Sequence, residues 1–188
     1  MKILNLGCGA VRPGDPWINI DFGDHHAPAH NFINYDLRRG IPFPDNSADG
    51  IFSSHFFEHL DANEARIMME RIYHVLKPGG IVCTGVPNAS YFRKVYAEDN
   101  RANSMRLFGE PIPDGDPVPT NLRRALYFHE HRQTFTEDSL WCLYAVSGFD
   151  PNTIKLCSMG HTLGDVIRVN FSAIVNRIPF TLFMEASK

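Results

Sequence analysis

Residues 2–9, Lys2-Ile3-Leu4-Asn5-Leu6-Gly7-Cys8-Gly9, and residues 17–21, Trp17-Ile18-Asn19-Ile20-Asp21, decide the fold. The first stretch is a short apolar run that stops at two glycines one residue apart. The second is another apolar run, and it ends on an acid. Strand, glycine turn, strand, acid is the order in which an α/β sheet presents its ligand-binding edge. Glycines let the backbone pass closely against a ligand, and an acid at the next strand end can grip a ribose diol. Gly7, Gly9 and Asp21 are therefore candidates for a nucleoside-cofactor site, with Cys8 as a small filler between the glycines.

The spacing restricts the ligand. A dinucleotide fingerprint, G-x-G-x-x-G, opens a helix whose N-terminus holds a pyrophosphate. Here the third glycine position is Arg12, and Pro13-Gly14-Asp15-Pro16 follows at once. Two prolines so close together oppose a crossover helix. Gly9 and Asp21 are also too close for a full helix with its turns. A nicotinamide-dependent oxidoreductase therefore ranks last among the readings.

Further motifs lie along the chain. The sequence resembles class I S-adenosylmethionine (SAM)-dependent methyltransferases, in particular small, type 11-like members whose first motif reads L-x-L-G-C-G. Leu4 to Gly9 matches that motif, and Asp21 matches the ribose-binding acid. Tyr35-Asp36-Leu37 matches the adenine-side acid and its apolar neighbour. Pro42 to Asp49 (PFPDNSAD) matches the lead-in to strand four, and Glu58-His59-Leu60 the segment after it. Val75 to Gly80 (VLKPGG) matches the turn before strand five. Phe135-Thr136-Glu137 and Gly148-Phe149 frame a later helix. The resemblance runs from Ile3 to about Gly148.

The resemblance implies an α/β, doubly wound, seven-stranded, mostly parallel Rossmann-like sheet with a shortened first helix connection. It implies SAM as cofactor, whose adenosine carries no phosphate and so does without the missing helix. It assigns Gly7 and Gly9 to the approach of backbone N–H groups to the methionine moiety. Asp21 is assigned to the ribose hydroxyls and Asp36 to the adenine amino group. Phe22 and Leu37 become apolar faces, and Ser53, Ser54 and His55 line the methionine end. Arg12 is placed where a cation could meet the SAM carboxylate.

The 188 residues suggest one domain spanning 1–188, with an insert at about 88–134. A net charge of -3 gives no support to bulk nucleic-acid binding. No membrane span or leader pattern is read, so a cytoplasmic protein is expected. Cys8, Cys83, Cys142 and Cys157 lack C-x-x-C spacing and read as reduced thiols.

Strands are expected near Lys2–Leu6, Trp17–Ile20, Asn31–Tyr35, Gly50–Ser53 and Ile81–Val86. Met68, Ile72, Val75 and Leu76 predict a helix over Ala62–Leu76, capped by Asp61 with Glu64. A second helix is expected over Thr136–Ser147, and another over Ser90–Arg101. Thr153–Cys157 and Phe180–Ala186 are candidate closing strands, the latter antiparallel. The proline-rich stretch Asn103–Leu122 reads as a substrate lid. Val166–Phe171 alternates like a further edge strand or a homodimer contact.

Methyl transfer needs alignment above all, and a base only where the acceptor must lose a proton. His55 and His131 are the candidate bases, whereas His59 reads as a packing residue. No metal site is expected: His129, Glu130, His131 and His55 lack a specific ligand spacing. No N-P-P-Y, D-P-P-Y or Pro-Cys pair follows strand four, which disfavours DNA as acceptor. A small-molecule, sugar or lipid-linked acceptor fits better, with Tyr91, Phe92, Tyr96, Phe108, Tyr127 and Phe128 able to face a ring. The alternative is a non-catalytic SAM- or partner-binding protein of the same fold.

Overall fold

The computed structural model describes residues 1–23, 31–97, 130–157 and 181–188. Seven strands form one sheet: β1 (Ile3–Leu6), β2 (Trp17–Asp21), β3 (Phe32–Asn34), β4 (Ala48–Ser54), β5 (Leu76–Pro87), β6 (Lys155–Leu156) and β7 (Thr181–Ser187). Their order is β3-β2-β1-β4-β5-β7-β6. The first five pair in parallel, and β7 runs antiparallel between β5 and β6. The sheet reverses direction of growth between β1 and β4, the switch point at which open α/β sheets bind ligands. The expected architecture, including the antiparallel closing strand, is present.

Alternating side chains divide the core between the two faces of the sheet. Leu4, Leu6, Ile20, Ile51 and Val82 join the larger cluster, with Met68, Met69, Ile72 and Val75 of α1 (Ala62–Val75). Leu140 and Tyr144 of α3 (Glu137–Val146) complete that side, and Tyr144 donates a hydrogen bond to the Met184 carbonyl at 2.8 Å. On the other face Ile3, Trp17, Phe52, Cys83 and Phe183 pack together. Trp17 meets Phe52 edge-on, and Phe52 stacks on Phe183.

The link between β1 and β2 contains no helix, as its prolines predict. Two buried asparagines hold it instead. Asn5 and Asn19 are register partners, and the Asn5 amide donates to Asn19 Oδ1 and to the Val11 carbonyl, both at 3.0 Å. The Asn19 amide donates to the Pro13 carbonyl at 2.9 Å. Polar groups in an otherwise apolar strand pair thus satisfy the carbonyls of the loop that replaces a helix.

Both helix caps follow the sequence. Asp61 forms a capping box with Glu64, and Thr136 forms one with Ser139. Helix α1 ends one residue earlier than expected, because Leu76 already pairs with Ala48 at the irregular start of β5. Helix α2 is described over Ala89–Ala97, so the rest of the expected Ser90–Arg101 helix lies outside the described residues, as do the lid Asn103–Leu122 and Val166–Phe171. Phe92, expected to face an acceptor, is buried. Tyr91 is half-buried, and Phe108, Tyr127 and Phe128 lie outside the described residues. Among the described residues, no helix is long and apolar enough to cross a membrane.

Candidate active site

A cleft of about 870 Å³ opens at the ends of β1, β2 and β4. Its lining includes Gly7, Gly9, Asp21, Phe22, Asp36 and Leu37 on one side. His55, Phe56, His59, Leu60 and the segment Glu130–Arg132 line the rest. Eight of the residues expected from sequence therefore meet in one place: Gly7, Gly9, Asp21, Phe22, Asp36, Leu37, His55 and His131.

The glycine turn is shaped by backbone geometry. Gly7 and Gly9 have φ of +65° and +51°, the region that side chains disfavour. A Cβ on Gly7 would stand 2.7 Å from the Phe56 side chain, whereas one on Gly9 would meet nothing within 4 Å. Gly7 is thus needed for a close approach, and Gly9 leaves open space beside the cleft. Their N–H groups do not point at a ligand as expected. Gly7 and Cys8 donate to the Ile20 carbonyl, and Gly9 donates to Asp21 Oδ2 at 2.6 Å. The turn is sewn to β2, and it admits a ligand by lacking side chains rather than by donating to it.

Asp21 is correspondingly fixed. Its Oδ1 accepts from the Phe22 N–H at 2.7 Å while Oδ2 holds Gly9. Phe22 beside it is 64% exposed, an aromatic ring left at the cleft mouth. Asp36 caps the short turn Leu37–Arg39 and takes a bidentate contact from Arg38, both bonds at 2.9 Å. The hydrogen bonds from the Arg38 side chain hold the Asp36 carboxyl below the usual aspartate range. Leu37 is buried beneath it.

Three expected residues do not line the cleft. Ser53 is buried between Leu6 and Thr84, and its hydroxyl lies 3.4 Å from Thr84 Oγ1, because alternation along β4 turns it into the sheet. Ser54 pairs with Gly85 and is half-buried. Cys8 is buried, and burial, helped by the Asp21 charge, raises its thiol pKa to about 11. It is a filler with little thiolate at neutral pH. Arg12 does not reach the cleft either: its guanidinium sits 3.7 Å over the Phe32 ring and donates to the Gly9 carbonyl.

The other wall is built around Glu58, which is fully buried. His55 follows β4 with φ +55°. Its Nδ1 lies 3.0 Å from Glu58 Oε1, and its Nε2 lies 3.0 Å from Thr181 Oγ1. The Glu58 carbonyl accepts from the Arg132 N–H at 2.7 Å, and Gln133 Nε2 donates to the Phe57 and Leu60 carbonyls. Arg132 also bridges Asp61 and Glu64. These ties bring His131 to His59, their rings edge-to-face at 5.0 Å. Sequence reasoning missed Glu58, Arg38, Phe56, Leu60 and Arg132 as site residues; it weighed Glu130 only as a metal ligand and read His59, which lines the cleft, as packing. A signal was present for Glu58 alone, as an acid amid apolar residues.

This geometry suits an adenosine ligand without phosphates. It offers a fixed carboxylate, an exposed ring and open space at Gly9, with no helix N-terminus in the glycine turn for a pyrophosphate. Comparison with known proteins agrees. Residues 19–84 match a family described as a methyltransferase domain. A SAM-dependent methyltransferase from Archaeoglobus fulgidus is 17% identical, with a TM-score of 0.61 over 100% of this chain and 86% of that one. One from Mesorhizobium loti is 16% identical, with a TM-score of 0.57 over 100% and 90%. Human N-acetylserotonin methyltransferase in complex with SAM is 17% identical, with a TM-score of 0.59 over 99% and 47%. No curated protein matches. The chain has the Rossmann-like fold of these SAM-dependent methyltransferases, and its residues 19–84 resemble a methyltransferase domain.

Proposed function

We propose that the chain is an active SAM-dependent methyltransferase that methylates oxygen or nitrogen of a small-molecule, sugar or lipid-linked acceptor. One observation carries the cofactor assignment: the Asp21 carboxylate is pinned by the Gly9 and Phe22 N–H groups, with the exposed Phe22 ring beside it. SAM supplies a methyl group on a good leaving sulfur, so the protein contributes alignment and exclusion of water. A carboxylate oxygen can accept more than one hydrogen bond, so Asp21 suits a ribose diol. Phe22 and Leu37 flank the base, and Asp36 offers an acceptor at its edge.

A hydroxyl acceptor must lose its proton. His55 suits that role, with Glu58 as its positioning residue. Nδ1–H donates to Glu58, which sets the tautomer and leaves Nε2 to accept. His131 lines the same cleft. A second reading, a non-catalytic binder of this fold, is favoured by the Thr181 hydroxyl against His55 Nε2.

Calorimetric titration with SAM and S-adenosylhomocysteine, with NAD as control, tests the proposal. Micromolar binding of both sulfur nucleosides is expected, weakened about 10–100-fold in Asp21→Ala through loss of charged hydrogen bonds. No binding to the native chain overturns the cofactor assignment. Binding without methyl transfer to any acceptor of the named classes selects the second reading.

A further inference from the structure

The Glu58 wall contains an unsatisfied group. Glu58 Oε1 is engaged by His55, but Oε2 is buried with no hydrogen-bond partner among the described residues. Leaving a buried carboxylate oxygen unpaired is costly. A fold that keeps such a group has a use for it. The other oxygen, Oε1, lies 3.9 Å from His131 Nε2. Ligating atoms of Glu58, His59 and His131 all lie within 4.8 Å of one another.

We propose that Glu58, His59 and His131 form a binding site for one divalent ion of the zinc class. Ligands about 2.1 Å from a tetrahedral zinc stand about 3.4 Å apart, so small side-chain rotations close the set. Two imidazoles and a carboxylate suit zinc, iron(II), cobalt(II) or nickel(II). Magnesium and calcium prefer all-oxygen sites. Glu58 Oε1 lies 3.0 Å from His55 Nδ1 and 3.9 Å from His131 Nε2, and the Glu58 carbonyl holds the backbone next to His131, so the acid is anchored from two sides.

Three protein ligands leave a fourth position open. Because His59 and His131 both line the cleft, that position faces the space where an acceptor would sit. An acceptor oxygen could bind there and lose its proton more readily. This last role rests on the proposed function, whereas the site itself does not. The set also differs from the one considered in the sequence. His129 lies outside the described residues, and neither Glu130 nor His55 belongs to the cluster.

The test uses the full chain, stripped with EDTA and titrated with Zn²⁺ against a chromogenic chelator, with no SAM present. One Zn²⁺ per chain is expected, at micromolar affinity or tighter. His59→Ala and His131→Ala should each weaken it more than about 10-fold. Cobalt(II) should give a visible absorption band in the native chain and lose it in both variants. Zn²⁺ should raise the melting temperature of the native chain only, with the logarithm of its concentration relative to Kd. Both variants should melt cooperatively without metal, since neither side chain belongs to the apolar core; if either fails, His59→Gln replaces it. Absence of stoichiometric binding overturns the proposal. So does unchanged affinity in both His59→Ala and His131→Ala, which would put the ion on other histidines. Because zinc is the readout, failure here leaves the SAM assignment standing, and failure of SAM binding leaves this site standing.

Discussion

The wall carrying Gly7, Gly9, Asp21 and Phe22 is made by two adjacent strand ends and the turn between them. The wall carrying His55, Glu58, His59 and His131 needs pieces from β4, from the turn before α1, from β7 and from the segment preceding α3. The first is held by backbone: Gly7, Cys8 and Gly9 each donate to β2. The second is held by side chains, chiefly Arg132, Gln133 and the Glu58 carboxylate. A backbone-built wall tolerates little change in residue size. A side-chain-built wall can be loosened one contact at a time.

Gly7→Ala should break this comparison hardest. It combines a left-handed φ, about 1–2 kcal/mol, with a Cβ 2.7 Å from Phe56, about 1–3 kcal/mol more. A loss of about 2–5 kcal/mol in urea unfolding is expected. Gly9→Ala should cost only the backbone share, about 1–2 kcal/mol, because no atom lies within 4 Å of its Cβ. Equal losses at the two positions would mean that packing against Phe56 is not what Gly7 is for.

Gln133→Ala tests the second wall more gently. Two hydrogen bonds to the Phe57 and Leu60 carbonyls are lost, a change of about 1–2 kcal/mol. Amide exchange should quicken over residues 130–135 while β1 and β2 stay protected. Uniform quickening across the sheet would show instead that the two walls unfold as one unit.

The same contrast explains what could be read in the sequence. The apolar runs, the glycines, Asp21 and both capping boxes act over a few residues, so their chemistry is visible in the order of the letters. Ser53 shows where that fails: its place after an apolar run is clear, but only the pairing of β4 with β1 and β5 decides that it faces inward. The His131–His59 contact is less legible still. It depends on Arg132 reaching Asp61 and Glu64, 71 and 68 positions away. Arg12 reads from sequence as a partner for the SAM carboxylate, but Phe32, brought close only by the pairing of β3 with β2, supplies a ring for it to lie on.

Asp36 stands at the border of the backbone-built wall and gives the smallest effect. Arg38 holds its carboxyl below the ordinary value of 3.8 in the folded chain. A depressed folded pKa means that the pair stabilises the fold above the ordinary aspartate value, and that this contribution is lost as pH falls through the lower folded value. Asp36→Asn keeps an oxygen for the Arg38 N–H cap but removes the charge. Urea midpoints of the two proteins should therefore differ slightly at neutral pH and converge as the solution is acidified below that range. Because Arg38 is largely exposed, added salt should shrink the neutral-pH gap as well. The same variant sharpens the comparison through binding. If Arg38 is the main partner of Asp36, SAM affinity should fall much less than in Asp21→Ala, since a carboxamide oxygen can still accept from an adenine amino group. A loss as large as that of Asp21→Ala would mean that SAM draws the carboxylate away from Arg38, so that the backbone-built wall extends to the end of a third strand.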